Sequence, residues 1–210
     1  DSTTLLHKNL EADLIIMSPQ AQSISSTGSF PRRRLTQATS IEGVASAEAI
    51  YVDRTNWKNP DTRQETEIMF ICFNPSKEIL KLPEVKTNLA KIKLTDAMLF
   101  DRGSEGEYEK VLTDLAQGKV LTTEVGKRQI RVEGLFTLGA SFAADANAVV
   151  SDLTFWRLFP GRSVSEVNIG LVKLKPGINT QGVIAKLQKT LPKDVKVLTL
   201  EDFVVFETDY

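Results

Sequence analysis

The residues from Val167 to Leu200 leave a folding chain few choices. Val167, Ile169 and Leu171 alternate with polar or small neighbours, and Val172 and Leu174 alternate with Lys173 and Lys175, the period of a half-buried strand. Pro176 cannot donate to a ladder and Gly177 tolerates positive φ, so the chain turns there. Asn179 or Thr180 then stands where a side chain accepts from the first free amides of a helix, and Val183, Ile184, Leu187 and Leu191 recur on one helical face. Pro192 closes that helix. Val195, Val197 and Thr199 predict a second strand, with Lys196 facing out. A strand-helix-strand unit cannot bury its apolar faces alone, so it needs a sheet supplied from elsewhere in the chain.

That sheet is expected from the N-terminal part. Leu5, Leu6 and Leu10 sit at helical spacing ahead of the apolar run Leu14-Ile15-Ile16-Met17, which predicts a helix feeding a buried strand. Residues 32–39 predict a short helix, and Val44, Ala47 and Ala49 lead into a strand through Ile50, Tyr51 and Val52. Trp57 anchors a turn over residues 57–61, and residues 67–73, apolar on both faces, predict a central strand. The middle of the chain has another texture. A short helix over 82–89 precedes a glycine-rich acidic loop over 101–109. Strands over 120–123 and 128–138 flank a hairpin turn at 124–127, and a short strand at 148–150 runs into a helix over 153–158. The expected fold class is therefore α+β in two subdomains. One is built from both chain ends, residues 1–78 and 162–210, and the other, residues 79–161, is inserted into it.

Charge and apolar content exclude several function classes. Twenty-six basic and 27 acidic residues leave a formal net charge of -1, so no global field recruits nucleic acid or an anionic bilayer. The longest apolar run, from Ile68 to Phe73, falls far short of the roughly 18 residues a membrane-spanning helix requires. Absence of an initiator Met and of a signal-peptide pattern suggests a segment cut from something longer. A single cysteine excludes an internal disulfide and a CxxC pair.

Candidate chemistry is sparse. His7 is the only histidine, and Cys72 lies inside an apolar strand, where a thiol packs as a small hydrophobe. Gly139-Ala140-Ser141-Phe142-Ala143 approaches a GxSxG nucleophile elbow, but the last glycine is alanine and the base would have to be His7, which precedes the serine. Glu105, Glu107 and Glu109 alternate as calcium ligands do, without the flanking pattern of an EF-hand. No GxGxxG or GxxxxGK[ST] is present, so any nucleotide is expected on another polypeptide. Arg32-Arg33-Arg34 is the one concentrated charge, and at a helix N-terminus it opposes the macrodipole, which makes it a candidate grip for an acidic partner or lipid headgroups.

Four segments carry a family resemblance: STTLLHKNLEADLIIMSP at 2–19, FPRRRLTQATSIEGVAS at 30–46, FTLGASFAADANAVVSDLTFWRLFP at 136–160, and the LKPG turn, helix and DVKVLTLEDF at 174–203. With them the chain resembles the extracytoplasmic domain of MacB-like ABC transporter permeases, and within these the DevC-type permeases of cyanobacterial exporters. The resemblance implies a periplasmic domain inserted between the first and second transmembrane helices of an inner-membrane permease, with a porter-like and an inserted sabre-like subdomain. It implies no enzyme activity and no cofactor. It further implies a separate cytoplasmic ATPase subunit, two permease copies per transporter, a membrane fusion protein as adaptor and a TolC-like outer-membrane channel beyond it. Glycolipid is the cargo of the founding system. Candidate grips for the adaptor are Arg32, Arg33, Arg34, Phe142 and Trp156. Rival readings are a module that captures an amphiphilic cargo in an apolar cleft between the subdomains, a hydrolase at Ser141, and an FtsX-like or LolC-like domain that engages a hydrolase activator or a lipoprotein chaperone.

Overall fold

The computed structural model describes residues 10, 12–23, 26–77, 79–80, 82–138 and 145–203. Their strands are β1 (Leu14–Met17), β2 (Phe30–Pro31), β3 (Val44–Lys58), β4 (Glu65–Phe73), β5 (Ala97–Asp101), β6 (Leu121–Val125), β7 (Arg128–Phe136), β8 (Asn147–Ser151), β9 (Glu166–Val167), β10 (Ile169–Leu174) and β11 (Lys196–Thr199). The helices are α1 (Arg33–Thr39), α2 (Pro83–Thr87), α3 (Leu89–Ile92), α4 (Glu109–Ala116), α5 (Asp152–Leu158) and α6 (Thr180–Thr190). Nine strands form one mixed sheet in the order β11-β1-β10-β3-β4-β8-β5-β7-β6, and β2 pairs β9 separately. The fold is mixed α+β.

The C-terminal unit forms as its sequence predicts. Gly177 turns the chain at φ 74°, the Asn179 side chain accepts from the Gly182 amide at 3.0 Å, and Val183 and Leu187 of α6 are buried. β1 lies between β10 and β11, so the first strand of the chain is inserted between the last two. Two expectations for this unit change. β10 is buried on both faces rather than half-buried, because apolar side chains of the sheet are covered on each side. Leu35 of α1, together with Val183 and Leu187, closes one face; Leu80, Val85 and Phe203 close the other. Lys196 does not simply face out, since its ammonium donates to the Ala21 carbonyl at 3.1 Å.

β3 ties the molecule together. Val44 to Ile50 pair with β10, and Tyr51 to Lys58 pair with β4, so a single 15-residue strand passes from one set of neighbours to the next without a break. β4 is central, as its two apolar faces predict, with β3 on one side and β8 parallel to it on the other. Pairing is therefore continuous across the boundary expected near residue 79. At the far end of β3, Trp57 also pairs with Val125 of β6, which curls β3-β4-β8-β5-β7-β6 back on itself. Trp57 is thus buried inside a strand end rather than anchoring a surface turn. β5 and α4 were not foreseen. AMLFD is too short an apolar run to distinguish strand from helix.

Gly170 explains why α1 docks where it does. A Cβ on this β10 residue would stand 2.5 Å from Leu35 Cδ2, 3.2 Å from Ile16 Cβ and 3.3 Å from Phe30 Cζ. Leu35 can rotate away, but the Ile16 Cβ is fixed by the neighbouring strand. Gly170→Ala is expected to destabilise the fold by about 1–3 kcal/mol through overpacking. Urea denaturation checks this, and a variant as stable as the parent would show that α1 shifts without cost.

Candidate partner-binding surfaces

Helix geometry separates the three arginines. At 3.6 residues per turn, successive side chains point about 100° apart, so a run of three cannot share one face. Arg32 and Arg33 are exposed, whereas Arg34 is buried and makes a bidentate bond to Asp194, 2.8 Å from Nε and 2.7 Å from Nη2. Arg34 therefore ties α1 to the segment after α6. Arg32 caps α1 without a side-chain hydrogen bond, and its amide donates to Ser165 at 2.7 Å.

Trp156 is half-buried on α5, its ring edge-on to Tyr51 at 4.8 Å. Burial pushes the Tyr51 phenol pKa up, and the Arg32 charge opposes that push. Arg32 and Trp156, far apart in sequence, thus both act on Tyr51. Phe142, Ser141 and His7 lie outside the described residues. Cys72 is fully buried and burial raises its thiol pKa well above the ordinary value, which suits packing. Glu105, Glu107 and Asp145 line a cleft of about 320 Å³ beside Tyr108; no group of three His, Cys, Asp or Glu among the described residues is placed to hold a metal ion.

Arg162 and Asn168 form a junction that sequence reading missed. The Arg162 guanidinium lies over the Tyr51 ring at 5.7 Å and the Phe155 ring at 5.2 Å, donates to the Val52 carbonyl at 2.7 Å, and bonds Asn168 Oδ1. Asn168 in turn accepts from the Val52 amide at 2.9 Å and donates to Thr27 Oγ1 and the Gly28 carbonyl at 3.0 and 2.9 Å. Burial lowers the Arg162 pKa, with Asp53 opposing, but a guanidinium stays charged. These bonds hold β3, β9 and the 27–28 loop together where β3 changes partners. An open polar cleft of about 500 Å³ borders them.

A second basic surface emerges only in three dimensions. Lys127, Arg128, Arg131 and Arg157 line a cleft of about 670 Å³ between the β6–β7 turn and the end of α5. Asp96 sits among them, bonded to Arg157 at 2.9 and 3.0 Å. Lys127 and Arg128 adjoin in sequence; Arg157 does not, and no local run marked the site.

Three other carboxylates share the electrostatics of Asp96. The Arg157 bond holds Asp96 below the usual carboxylate range, as Arg102 does for Glu84, Lys110 for Asp114 and Arg34 for Asp194. A depressed folded pKa contributes stability that is present above the unfolded value, about 4, and lost as pH falls through the folded values. The thermal midpoint is expected to stay level from about pH 7 to about pH 5 and to fall below about pH 4. Asp96→Asn removes one contributor, so its acid decline should be shallower than the parent's when the two pH profiles are compared; parallel profiles would remove Asp96 from the set.

The architecture has known counterparts. Over 96% of this chain and 95% of the other, it superposes on the periplasmic region of MacB from Actinobacillus actinomycetemcomitans, with a TM-score of 0.58 at 11% identity. This chain has the MacB periplasmic fold. The extracellular domain of the noncanonic ABC-type transporter YknZ from Gram-positive bacteria also matches, with a TM-score of 0.52 at 13% identity over 90% of this chain and 100% of that one. No protein-family model and no curated protein matches the sequence. No helix among the described residues is long and apolar enough to cross a membrane.

Proposed function

We propose that this chain is the extracytoplasmic domain of an ABC exporter permease of MacB type, within the DevC-type group, and that it passes ATP-driven motion of membrane helices to a periplasmic membrane fusion protein. The observation that carries this reading is the meeting of the first and last described residues of the chain. Leu10 and Phe203 line one small apolar pocket with Ile50, Val52, Ile71 and Leu80. Described residues that enter and leave the domain at one place suit insertion between two membrane helices. Fold likeness to MacB and YknZ domains over nine-tenths of the chain or more supports the same reading.

Within it, residues 1–78 with 162–210 and residues 79–161 become two halves that move against each other across the β4–β8 pairing and the Arg162–Phe155 stack. The ATPase is a separate subunit, two permease copies form the transporter, and a TolC-like channel lies beyond the adaptor. Cargo capture by this domain is not favoured: the two largest of the described clefts are polar, and the apolar pocket beside Leu10 and Phe203 holds about 10 Å³, room for about one water.

The test is capture of the chain by candidate membrane fusion proteins. Arg32 and Arg33 are free to meet an acidic adaptor face, while Arg34 is excluded from the test because reversing it breaks the Asp194 bond. Arg32→Glu with Arg33→Glu is expected to weaken adaptor binding and flatten its salt dependence. Unchanged affinity would remove both arginines from the interface, and failure to bind any adaptor would overturn the reading.

A further inference from the structure

We propose that the basic cleft between the β6–β7 turn and the end of α5 docks an acidic segment of a partner polypeptide. The charge count is the starting point. Four cations, Lys127, Arg128, Arg131 and Arg157, meet two carboxylates there: Asp96, shared by Arg157 and, at 3.8 Å, Arg128, and Glu133, 3.2 Å from Arg131 Nε. Four less two leaves two positive charges uncompensated, on a chain whose net charge is -1. Glu124 does not neutralise them, because Arg63 pairs with it. Like charges gathered around a shared carboxylate repel one another, and a second anion in the cleft relieves that repulsion.

The geometry favours a carboxylate on a polypeptide. Arg157 is spent on Asp96 and fixes it, whereas Arg128, whose Nε donates to the Arg157 carbonyl at 3.2 Å, reaches Asp96 only at 3.8 Å through a terminal nitrogen, and Lys127 stands at the tip of an open turn whose Gly126 has no neighbour within 4 Å of a Cβ position. An arginine fork of this kind fits a carboxylate in two-pronged fashion. Val125, Leu158 and Pro160 also line the cleft, so aliphatic residues next to the acidic ones find cover, which a bare phosphate would leave unused. A concave site does not lie flat on a bilayer.

The assignment goes beyond the transporter reading and stands without it. Its test is a titration of the 210-residue chain with a fluorescent octapeptide of alternating glutamate and leucine, against its glutamine counterpart, inorganic phosphate and phosphatidylglycerol vesicles. The glutamate peptide is expected to bind about tenfold or more tightly than the glutamine one, and to weaken several-fold from 50 to 200 mM salt. Lys127→Ser with Arg128→Ser should lower affinity roughly tenfold, and Gln129→Glu, which adds a carboxylate at the mouth without breaking any pair, should lower it as well. Equal affinity for the two peptides, no loss in either variant, displacement of the peptide by phosphate at equal concentration, or stronger binding to vesicles would each overturn the proposal. No adaptor enters this experiment, so it can succeed where adaptor capture fails.

Discussion

Trp57→Ala is expected to be among the most damaging single substitutions in the chain, lowering stability by about 3–5 kcal/mol and the thermal midpoint by roughly 10 °C or more. The indole is 1% exposed and stacks on Phe100 at 5.2 Å with an interplanar angle of 26°. Its N–H donates to the Tyr108 hydroxyl at 3.2 Å, and that hydroxyl also bonds Thr66 Oγ1 at 2.9 Å. Deletion therefore opens a cavity at the point where β3 meets both β4 and β6, and surrounding strands cannot collapse into it without breaking the Trp57–Val125 pairing. Trp57→Phe separates the contributions. It keeps much of the ring and leaves Tyr108 bonded to Thr66, so its cost should be well under half that of alanine. If urea denaturation gives equal losses for both variants, the indole N–H rather than packing holds the curl closed.

Arg162→Ala is expected to cost about 2–4 kcal/mol and to loosen the chain locally at Val52. The substitution removes a cation stacked on Tyr51 and Phe155 and leaves the Val52 carbonyl and Asn168 Oδ1 each short of a donor. Lysine is a poor substitute. It keeps the charge but not the planar fork that reaches Val52, Asn168, Asp53 and the Glu166 carbonyl together, so Arg162→Lys should recover less than half of the loss. Hydrogen exchange gives a second readout, because the Val52 amide donates to Asn168 and should exchange faster in both variants. Stability of Arg162→Ala within about 0.5 kcal/mol of the parent would mean that water from the adjoining cleft replaces the guanidinium. Under the proposed function the stake follows from position: the junction sits where β3 leaves β10 for β4, and its stack on Phe155 joins the two halves that the proposal sets in motion.

The elements read directly from the sequence are those whose signals are local. Asn179 as a cap, Gly177 as a turn, Val183 and Leu187 as a buried stripe, and the two-faced apolar β4 depend on residues a few positions apart, and each lies where its pattern places it. Burial on both faces of β10, Lys173 excepted, was not readable, because its small residue Gly170 is covered by side chains from distant segments. Among the expected grips, the three arginines read as one patch because they adjoin in sequence. Helical twist instead sends Arg34 inward to Asp194, 160 residues away.

By itself, then, the sequence determined the α+β class, the turns, the caps and the strand-helix-strand unit that seeks a sheet, all consequences of side-chain period and backbone preference within a few residues. Tertiary structure alone decided that β1 slots between β10 and β11, that β3 runs unbroken from β10 to β4, and that Lys127, Arg128, Arg131 and Arg157 gather around Asp96. The physical reason is range. Local preferences act between near neighbours along the chain, whereas strand order and charge clusters are set by which distant surfaces bury each other, and no short window of sequence contains both partners.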